Sequence, residues 1–275
     1  MRPQRPDIAA PPFPPALEWI GADPGRMEPL TAAGPVLVHF LDFAQLNSVR
    51  ALPYLTAWAA RYRDAGLTVL GVHSPRFGFT ADRAVLAAGL AQLGVRHPVA
   101  ADLDYDLWHD YGCEGWPSLF LWGRGGALRW FHFGEGEYQA TERAIQEELR
   151  RSNGARSMPP PIPPMRPSDA PGAVVIAPTE EVLPGGSIRR PWAATEERSA
   201  LELDYAAGGA YATLDGSGEL RVRHDGEDDR ILVEVPGLHE LAAHPAHESH
   251  HLRIEPSPGV GVWSVSFAAG VPPDS

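Results

Sequence analysis

The segment from Val36 to Leu55 constrains the fold more than any other part of the chain, because its apolar pattern changes period within a few residues. Residues 36–41 are mostly apolar and follow Gly34-Pro35, which predicts a short buried strand. From Leu46 the apolar residues recur every three or four positions, which predicts a helix; they are Leu46, Val49, Leu52, Leu55, Trp58 and Ala59. Pro53 lies inside this helix, where it removes a hydrogen-bond donor, so we expect a kink.

This strand–turn–helix unit resembles the active-site unit of thioredoxin-like proteins, and it is most similar to redoxins of the TlpA/DipZ type. Those redoxins carry Cys-x-x-Cys at the helix N-terminus, with a proline five positions after the second cysteine. Counting back from Pro53 puts the two cysteine positions at Gln45 and Ser48. The surrounding motif residues match; they are Asn47, Arg50, Leu52, Pro53 and Tyr54. The resemblance implies a redoxin frame in which both active-site cysteines have been replaced.

The dipeptide Trp116-Pro117 precedes a second apolar run and gives the resemblance an independent anchor. In thioredoxin-like folds a cis-proline precedes the fourth strand and faces the Cys-x-x-Cys motif. The resemblance therefore implies a cis bond before Pro117, since X-Pro is where cis peptides occur. It also implies a groove lined by Asn47, Arg50, Trp116 and Pro117. The run 132–138 is again similar to the DipZ-type redoxins, so the resemblance covers residues 13–151.

Further elements of the first domain follow from the same patterns. Strands are predicted at 67–72, 97–100, 118–122 and 128–133, and helices at 82–93 and 137–151. A long amphipathic helix that joins two buried strands predicts a parallel βαβ unit with a right-handed crossover.

A proline-rich run at 158–167 predicts a semi-rigid linker, and the pattern changes beyond it. Apolar and polar residues then alternate in short runs separated by Asp-Gly and Pro-Gly pairs, which is typical of an antiparallel β-sandwich. In DipZ-type proteins a jelly-roll similar to a carbohydrate-binding module follows the redoxin domain, and the order here is the same. We therefore divide the chain into an extended arm (1–15), a thioredoxin-like α/β domain (16–151), a linker (152–172), an all-β sandwich (173–270) and a tail (271–275).

Composition excludes several classes of function. A formal net charge of −12 argues against nucleic acid or an anionic membrane surface as the main partner. No apolar run approaches transmembrane length, and the proline-rich N-terminus lacks the apolar core of a signal peptide. We therefore expect a globular cytoplasmic protein with a protein or peptide partner and no cofactor. Its single cysteine excludes a disulfide within these residues and a zinc site built on paired cysteines.

Little of the redoxin chemistry is left in the sequence. Thiol–disulfide exchange needs an attacking thiolate, which neither Gln45 nor Ser48 supplies. As a nucleophile Ser48 would need a base. His39 lies on the adjacent strand, but alternation points it away from the site, and His73 is a loose candidate; a helix cap is the simpler interpretation of Ser48. Cys113, four positions before Pro117, is the candidate for a reactive monothiol. Nothing near it in sequence is electropositive, which favours an inert side chain, and we expect no catalytic residue.

The C-terminal half offers one set of residues typical of a metal site, namely His239, His244, His247, His250 and His251. Imidazoles suit zinc, nickel or copper, but the spacing fits no established template. We predict a solvated strand–loop–strand segment and no metal, with His244, His247, His250 and His251 as weak candidates. Trp192 and Tyr211 are weak candidates for stacking on a sugar, because alternation places Tyr205 and Trp263 in the core.

Three functions remain open on these grounds. The first is a non-enzymatic role, in which the groove between Ser48 and Pro117 binds an extended peptide or partner. The second is a thiol oxidoreductase or peroxidase of the redoxin family that uses Cys113. The third is binding of a carbohydrate or polymer by the sandwich.

Overall fold

The computed structural model describes residues 1–2, 8–153 and 157–273, without the side chain of Asn153. The predicted arm, linker and tail each fall partly on residues outside these ranges. The chain divides into two compact units. The first consists of Met1–Asp42, Asn47–Pro75 and Leu93–Pro163, and the second of Phe43–Leu46, Arg76–Gln92 and Pro164–Ser275. Among the described residues, no helix has both the length and the apolar character needed to cross a membrane.

The first unit is built on a six-stranded mixed sheet. In chain order its strands are β1 (Glu18–Ile20), β2 (Val36–Leu41), β3 (Thr68–His73), β4 (Val99–Ala101), β5 (Ser118–Trp122) and β6 (Leu128–Phe133), in the spatial order β1-β4-β3-β2-β5-β6. Strand β2 pairs with β3 in parallel and with β5 antiparallel. Among the described residues the α-helices are α1 (Met27–Ala33), α2 (Leu46–Tyr62), α3 (Arg83–Gln92), α4 (Asp106–Asp110) and α5 (Tyr138–Asn153). The bounds of β2 to β6 and of α2, α3 and α5 lie within a few residues of the predicted elements, whereas α1 was not predicted.

Helix α2 contains Pro53 at an interior position, as predicted, and buries a broad apolar face. Tyr54, Leu55 and Trp58 are each almost fully buried. Burying side chains of this size contributes about 1.5–3 kcal/mol each relative to leaving them exposed, so packing holds the helix despite its internal proline.

A buried polar network joins α2 to α5. The hydroxyl of Tyr62 donates to Oε1 of Glu142 over 2.6 Å and accepts from Nε2 of Gln146 over 2.7 Å. The other carboxylate oxygen of Glu142 accepts from the backbone N–H of Ile162 over 2.7 Å, and Gln146 also donates to the carbonyl of Pro159 over 2.8 Å. The network therefore fixes part of the predicted linker against the first unit.

The C-terminal part of the second unit, from Leu201 onwards, is an all-antiparallel β domain, which confirms the predicted fold class and is consistent with a β-sandwich. Its strands are β7 (Leu201–Gly216), β8 (Gly218–His224), β9 (Glu227–Val233), β10 (Gly237–Pro256) and β11 (Val260–Ala268), in the order β11-β7-β10-β8-β9. The turn signals Asp215-Gly216, Asp225-Gly226 and Pro236-Gly237 lie at strand ends, as the sequence predicts, and Asp225-Gly226 forms the hairpin between the paired strands β8 and β9. Isolated bridges join Val182 and Trp192 to the outer edge of β11.

The prediction of a strand–loop–strand segment through the histidine-rich residues 239–251 is wrong. These residues lie within the single strand β10, which is interrupted only by shifts in its register with β7, between Glu240 and Ala242 and between Ala243 and Glu248. Bulges of this kind absorb extra residues without ending a strand. Their sequence signal is weak, because the inserted residues break the alternation that identifies a strand.

Candidate functional site

Ser48, the predicted second position of the redoxin motif, lies in the first turn of α2 and is 1% exposed. Its hydroxyl oxygen accepts a hydrogen bond from the backbone N–H of Asp42, with N and Oγ 3.2 Å apart. Asp42 directly follows β2, so this bond ties the start of the helix to the end of the strand. The hydroxyl thus has a structural role at the position where a redoxin would carry a thiol.

The first position, Gln45, is half-buried and belongs to the short segment Phe43–Leu46, which groups with the second unit. Next to it, the carbonyl oxygen of Ala44 accepts a hydrogen bond from the hydroxyl of Thr213 in β7 over 2.8 Å. Phe43 and Ala44 are both buried. The backbone that precedes the first cysteine position is therefore engaged within the second unit.

The predicted groove residues Asn47, Arg50 and Trp116 are each half-buried, and Pro117 is buried. The bond between Trp116 and Pro117 is cis. Arg50 donates from Nε to Oε1 of Glu135 over 2.7 Å, in an ion pair whose side chains are 10% and 19% exposed.

Trp116 is held by contacts with its neighbours. Its indole N–H donates to the carbonyl of Ser74 over 3.0 Å, and its ring lies 4.4 Å from that of Trp108. Trp108 in turn sits in the first turn of α4, where its backbone N–H donates to the carboxylate of Asp102 over 3.0 Å. The buried Asp102 therefore anchors this helix, and it is a residue that the sequence analysis did not single out.

The only thiol of the chain, Cys113, is half-buried and packs against the apolar core of the first unit. Burial raises the pKa of this thiol far above its ordinary value, and the hydroxyl of Ser118 offsets only part of the effect. A thiol of this kind carries little thiolate at neutral pH, so it is a poor nucleophile.

His39 does not serve as a base for Ser48. Its Nε2 lies 2.7 Å from Nε2 of His97, so the two imidazoles share one hydrogen bond. Burial, together with the neighbouring His97, lowers the pKa of His39 well below its usual value. The serine-nucleophile interpretation therefore gains no support from this pair.

The second unit brings three histidines together. One ring nitrogen from each of His224, His244 and His250 lies within 4.8 Å of the others. The rings of His244 and His250 stack with centroids 3.6 Å apart, and His224 lies 5.0 and 5.1 Å from them. Burial, with contributions from His250 and His224, lowers the pKa of His244 to about 4. Of the four predicted metal candidates, His244 and His250 belong to this group, whereas His247 and His251 do not.

His224 was not among the predicted metal candidates, because it lies on β8, twenty residues before His244. Pairing of β8 with β10 sets His224 opposite Leu252 and so brings it next to the other two rings. The outward-facing His251 instead places its Nδ1 2.8 Å from a carboxylate oxygen of Asp204, at the surface. A correct pairing of the two strands would have revealed the group.

The candidates for sugar stacking are placed differently from the prediction. Trp192 is 8% exposed and belongs to the core of the β domain, with the guanidinium of Arg198 5.1 Å above its ring. Tyr211 is half-buried and donates to Glu240. Tyr205 and Trp263 are buried, as predicted. Within residues 157–273 none of the tryptophan or tyrosine side chains is fully exposed.

Comparison with known proteins shows similarity to redoxins. No protein-family model matches the chain. Protein DipZ of Mycobacterium tuberculosis is 29% identical over 267 residues, an alignment that covers 84% of this chain and 38% of DipZ. The thiol-disulfide oxidoreductase YkuV of Bacillus subtilis is 25% identical over 131 residues, covering 48% of this chain and 87% of YkuV. A crystal structure of a thiol-disulfide isomerase from Corynebacterium glutamicum superposes with a TM-score of 0.46 at 21% identity, over 51% of this chain and 96% of that one.

The chain spans 38% of the length of the DipZ relatives that it matches. The alignment with DipZ covers 84% of this chain and that with YkuV covers 48%. This chain is therefore similar to thioredoxin-like redoxins, and Gln45 and Ser48 lie where counting back from Pro53 places the two redoxin cysteines.

Proposed function

We propose that the redoxin domain has lost dithiol–disulfide exchange and acts as a binding or accessory module. The observation that carries the proposal is the placement of thiols: the chain has one cysteine, and it lies at neither position of the motif. A dithiol cycle needs an attacking thiol and a resolving thiol. Gln45 and Ser48 supply neither, and the hydroxyl of Ser48 already bonds to the backbone of Asp42.

A monothiol reaction at Cys113 is the alternative. It requires a thiolate, whose population falls as the pKa rises. Because burial raises the pKa of Cys113, the structure favours a packing role for this residue.

An extended peptide is the partner that we propose for the module. Extended peptides bind through main-chain hydrogen bonds together with pockets for side chains. The loop before Pro117 offers such groups at the surface, since Gly112 and Glu114 are exposed and Trp116 is half-buried. Sugar binding by the β domain receives less support, because the described part of that domain presents no fully exposed tryptophan or tyrosine.

Reduction of insulin by dithiothreitol tests the loss of redox function. We expect the purified chain to give no acceleration over dithiothreitol alone, and the same result for Cys113→Ser. Acceleration by the native chain that disappears in Cys113→Ser would overturn the proposal in favour of monothiol chemistry.

Selection from a random peptide library tests the binding role. The native chain and Trp116→Ala serve as matched baits. We expect peptides enriched on the native chain to lose at least about fivefold in affinity for the variant, because an indole contact contributes on the order of 1 kcal/mol or more. A library that yields no enriched peptide, or peptides indifferent to the substitution, would contradict a peptide site beside Trp116.

A further inference from the structure

We propose that the β domain binds one divalent transition-metal ion, of the class of Zn²⁺, Cu²⁺ and Ni²⁺, through the imidazoles of His224, His244 and His250. Their ring nitrogens lie close enough together for one ion to meet all three after small side-chain adjustments. Three imidazoles form a donor set that suits these ions, whereas Mg²⁺ and Ca²⁺ prefer oxygen ligands. The proposal is independent of the one made for the redoxin domain.

Two of the three imidazoles hold nitrogens that lack any hydrogen-bond partner. Nε2 of His224 and Nε2 of His250 are both buried and make no hydrogen bond. The nearest acidic atom to the His224 nitrogen is Oδ2 of Asp225, 3.5 Å away. Buried polar atoms are normally satisfied, and two orphaned atoms in one cluster call for an explanation. A metal ion between the rings would satisfy both.

Asp225 orients the ring of His250. Nδ1 of His250 lies 2.7 Å from Oδ2 of Asp225, and because a carboxylate only accepts, Nδ1 is the donor in this hydrogen bond. Nε2 is then the nitrogen of His250 left to ligate a metal ion. Oδ1 of Asp225 accepts from the backbone N–H of His251 over 2.8 Å, which holds the carboxylate in place. Carboxylate–histidine pairs of this type orient the histidines that ligate metals.

Tyr205 and the ring of His250 orient His244. Its Nε2 lies 2.8 Å from the hydroxyl of Tyr205, and its ring stacks on that of His250 at 3.6 Å with an angle of 15° between the planes. Two nitrogens on one tetrahedral zinc ion are roughly 3.3 Å apart, given Zn–N bonds of about 2.0–2.1 Å. The ring nitrogens here lie within 4.8 Å of one another, so binding requires the stacked rings of His244 and His250 to turn until both direct a lone pair at the ion.

The cluster borders an open cleft that gives an ion a route from solvent. The cleft has a volume of about 580 Å³, and Tyr205, Asp225 and His250 are among its lining residues. A zinc ion held by three histidines keeps a fourth position for water or another ligand. The side of the cluster that adjoins the cleft is where that position would lie.

Titration of the metal-free full chain with ZnCl₂, followed by calorimetry, tests the proposal. We expect one Zn²⁺ per chain, a higher unfolding temperature in its presence, and no binding of Mg²⁺ or Ca²⁺. His224→Ala and His250→Ala should each weaken binding at least tenfold. His251→Ala removes the adjacent surface histidine and is the matched control, with an expected change of less than twofold. Co²⁺ in place of Zn²⁺ should give the visible absorption of a tetrahedral site with the native chain and not with His224→Ala.

The variants must be folded before their metal binding is compared. Circular dichroism of each metal-free variant establishes that it is folded, and His224→Gln replaces His224→Ala where the alanine variant is not. Absence of Zn²⁺ binding by the native chain would overturn the proposal. So would Zn²⁺ binding that survives loss of His224 and His250, or that falls as far in His251→Ala, since each places the ion on surface histidines.

Discussion

Ser48 receives a hydrogen bond from the backbone N–H of Asp42 across 3.2 Å, and both residues are almost completely buried. Asp42 directly follows β2, and Ser48 lies at the predicted position of the second redoxin cysteine. The hydroxyl of Ser48 therefore joins the end of the strand to the first turn of α2.

Removal of this hydroxyl should destabilise the redoxin domain. We expect Ser48→Ala to lower the free energy of unfolding by about 1–2 kcal/mol, because the buried N–H of Asp42 loses an acceptor. Ser187→Ala is the control, since its hydroxyl accepts from the backbone N–H of Arg189 in an exposed turn and its loss should cost under about 0.5 kcal/mol. Urea unfolding measures the loss of stability in each variant. Equal losses would show that the buried hydrogen bond of Ser48 stabilises the protein no more than the exposed one of Ser187.

The thiol of Cys113 should react slowly. Its pKa is raised by burial, so the thiolate fraction at pH 8 lies well below that of an exposed cysteine. We predict that labelling by a disulfide reagent is at least about tenfold slower in the native chain than in the chain unfolded by urea. A native rate equal to the unfolded one would indicate an accessible, ionised thiol and would revive the monothiol alternative.

The hydroxyl of Tyr62 should contribute more to the free energy of unfolding than the hydroxyl of Tyr211 does. Tyr62→Phe removes a charge-assisted donor from Oε1 of the buried Glu142 carboxylate, which we expect to cost about 1.5–3 kcal/mol. Tyr211 donates to Glu240 at the surface, so Tyr211→Phe should cost much less. Thermal unfolding of the two variants gives the comparison, and a smaller loss for Tyr62→Phe would contradict the network.

The raised pKa of Tyr62 predicts that the stability of the protein changes with pH. Burial, aided by Glu142 and partly opposed by Gln146, raises the pKa of Tyr62 to about 12 from an ordinary value of 10.0. The folded state therefore keeps the phenol neutral where the unfolded state ionises. Its contribution is complete below pH 10 and is lost as the pH rises towards 12. Urea titrations across this range should show a shallower loss for Tyr62→Phe.

The ion pair of Arg50 with Glu135 should stabilise the fold more than surface pairs do. Its side chains are 10% and 19% exposed, whereas those of Arg221 and Glu219 are 64% and 37% exposed. We expect Glu135→Gln to cost about 1–3 kcal/mol, because Arg50 then remains partly buried without its counter-charge. Glu219→Gln should cost under about 1 kcal/mol. Unfolding at two salt concentrations distinguishes the pairs, and equal losses would contradict the difference in burial.

Much of the redoxin domain was predictable because its sequence signals are local. The change of period near Leu46, the internal Pro53 and the Trp116-Pro117 dipeptide each indicate an element without reference to the rest of the chain. The role of Asp102 could not be predicted from the sequence. Its hydrogen bonds to Ser74 and to the start of α4 join residues that become neighbours only when the sheet folds.

The β domain was less predictable because more of its structure depends on contacts between residues far apart in the sequence. Its turns carry Asp-Gly and Pro-Gly signals, so their positions were correct. The length of β10 was missed because bulges disturb the alternation that predicts a strand. His224 was missed because a long-range strand pairing brings it to His244 and His250. Trp192 was misjudged because the residues that cover its ring, including Arg198, lie outside any regular strand.

Restoring both cysteines tests most directly whether this domain is a redoxin frame without its thiols. Gln45→Cys and Ser48→Cys, made in a Cys113→Ser background, leave two thiols three positions apart at the N-terminus of α2. Neighbouring positions on a helix turn can meet the spacing of a disulfide, and the helix N-terminus favours the thiolate of the first. In glutathione buffers of increasing oxidising strength, we predict one intramolecular disulfide, seen as loss of both thiols in a monomer. Two thiols that stay reduced, or that form only intermolecular disulfides, would contradict the account.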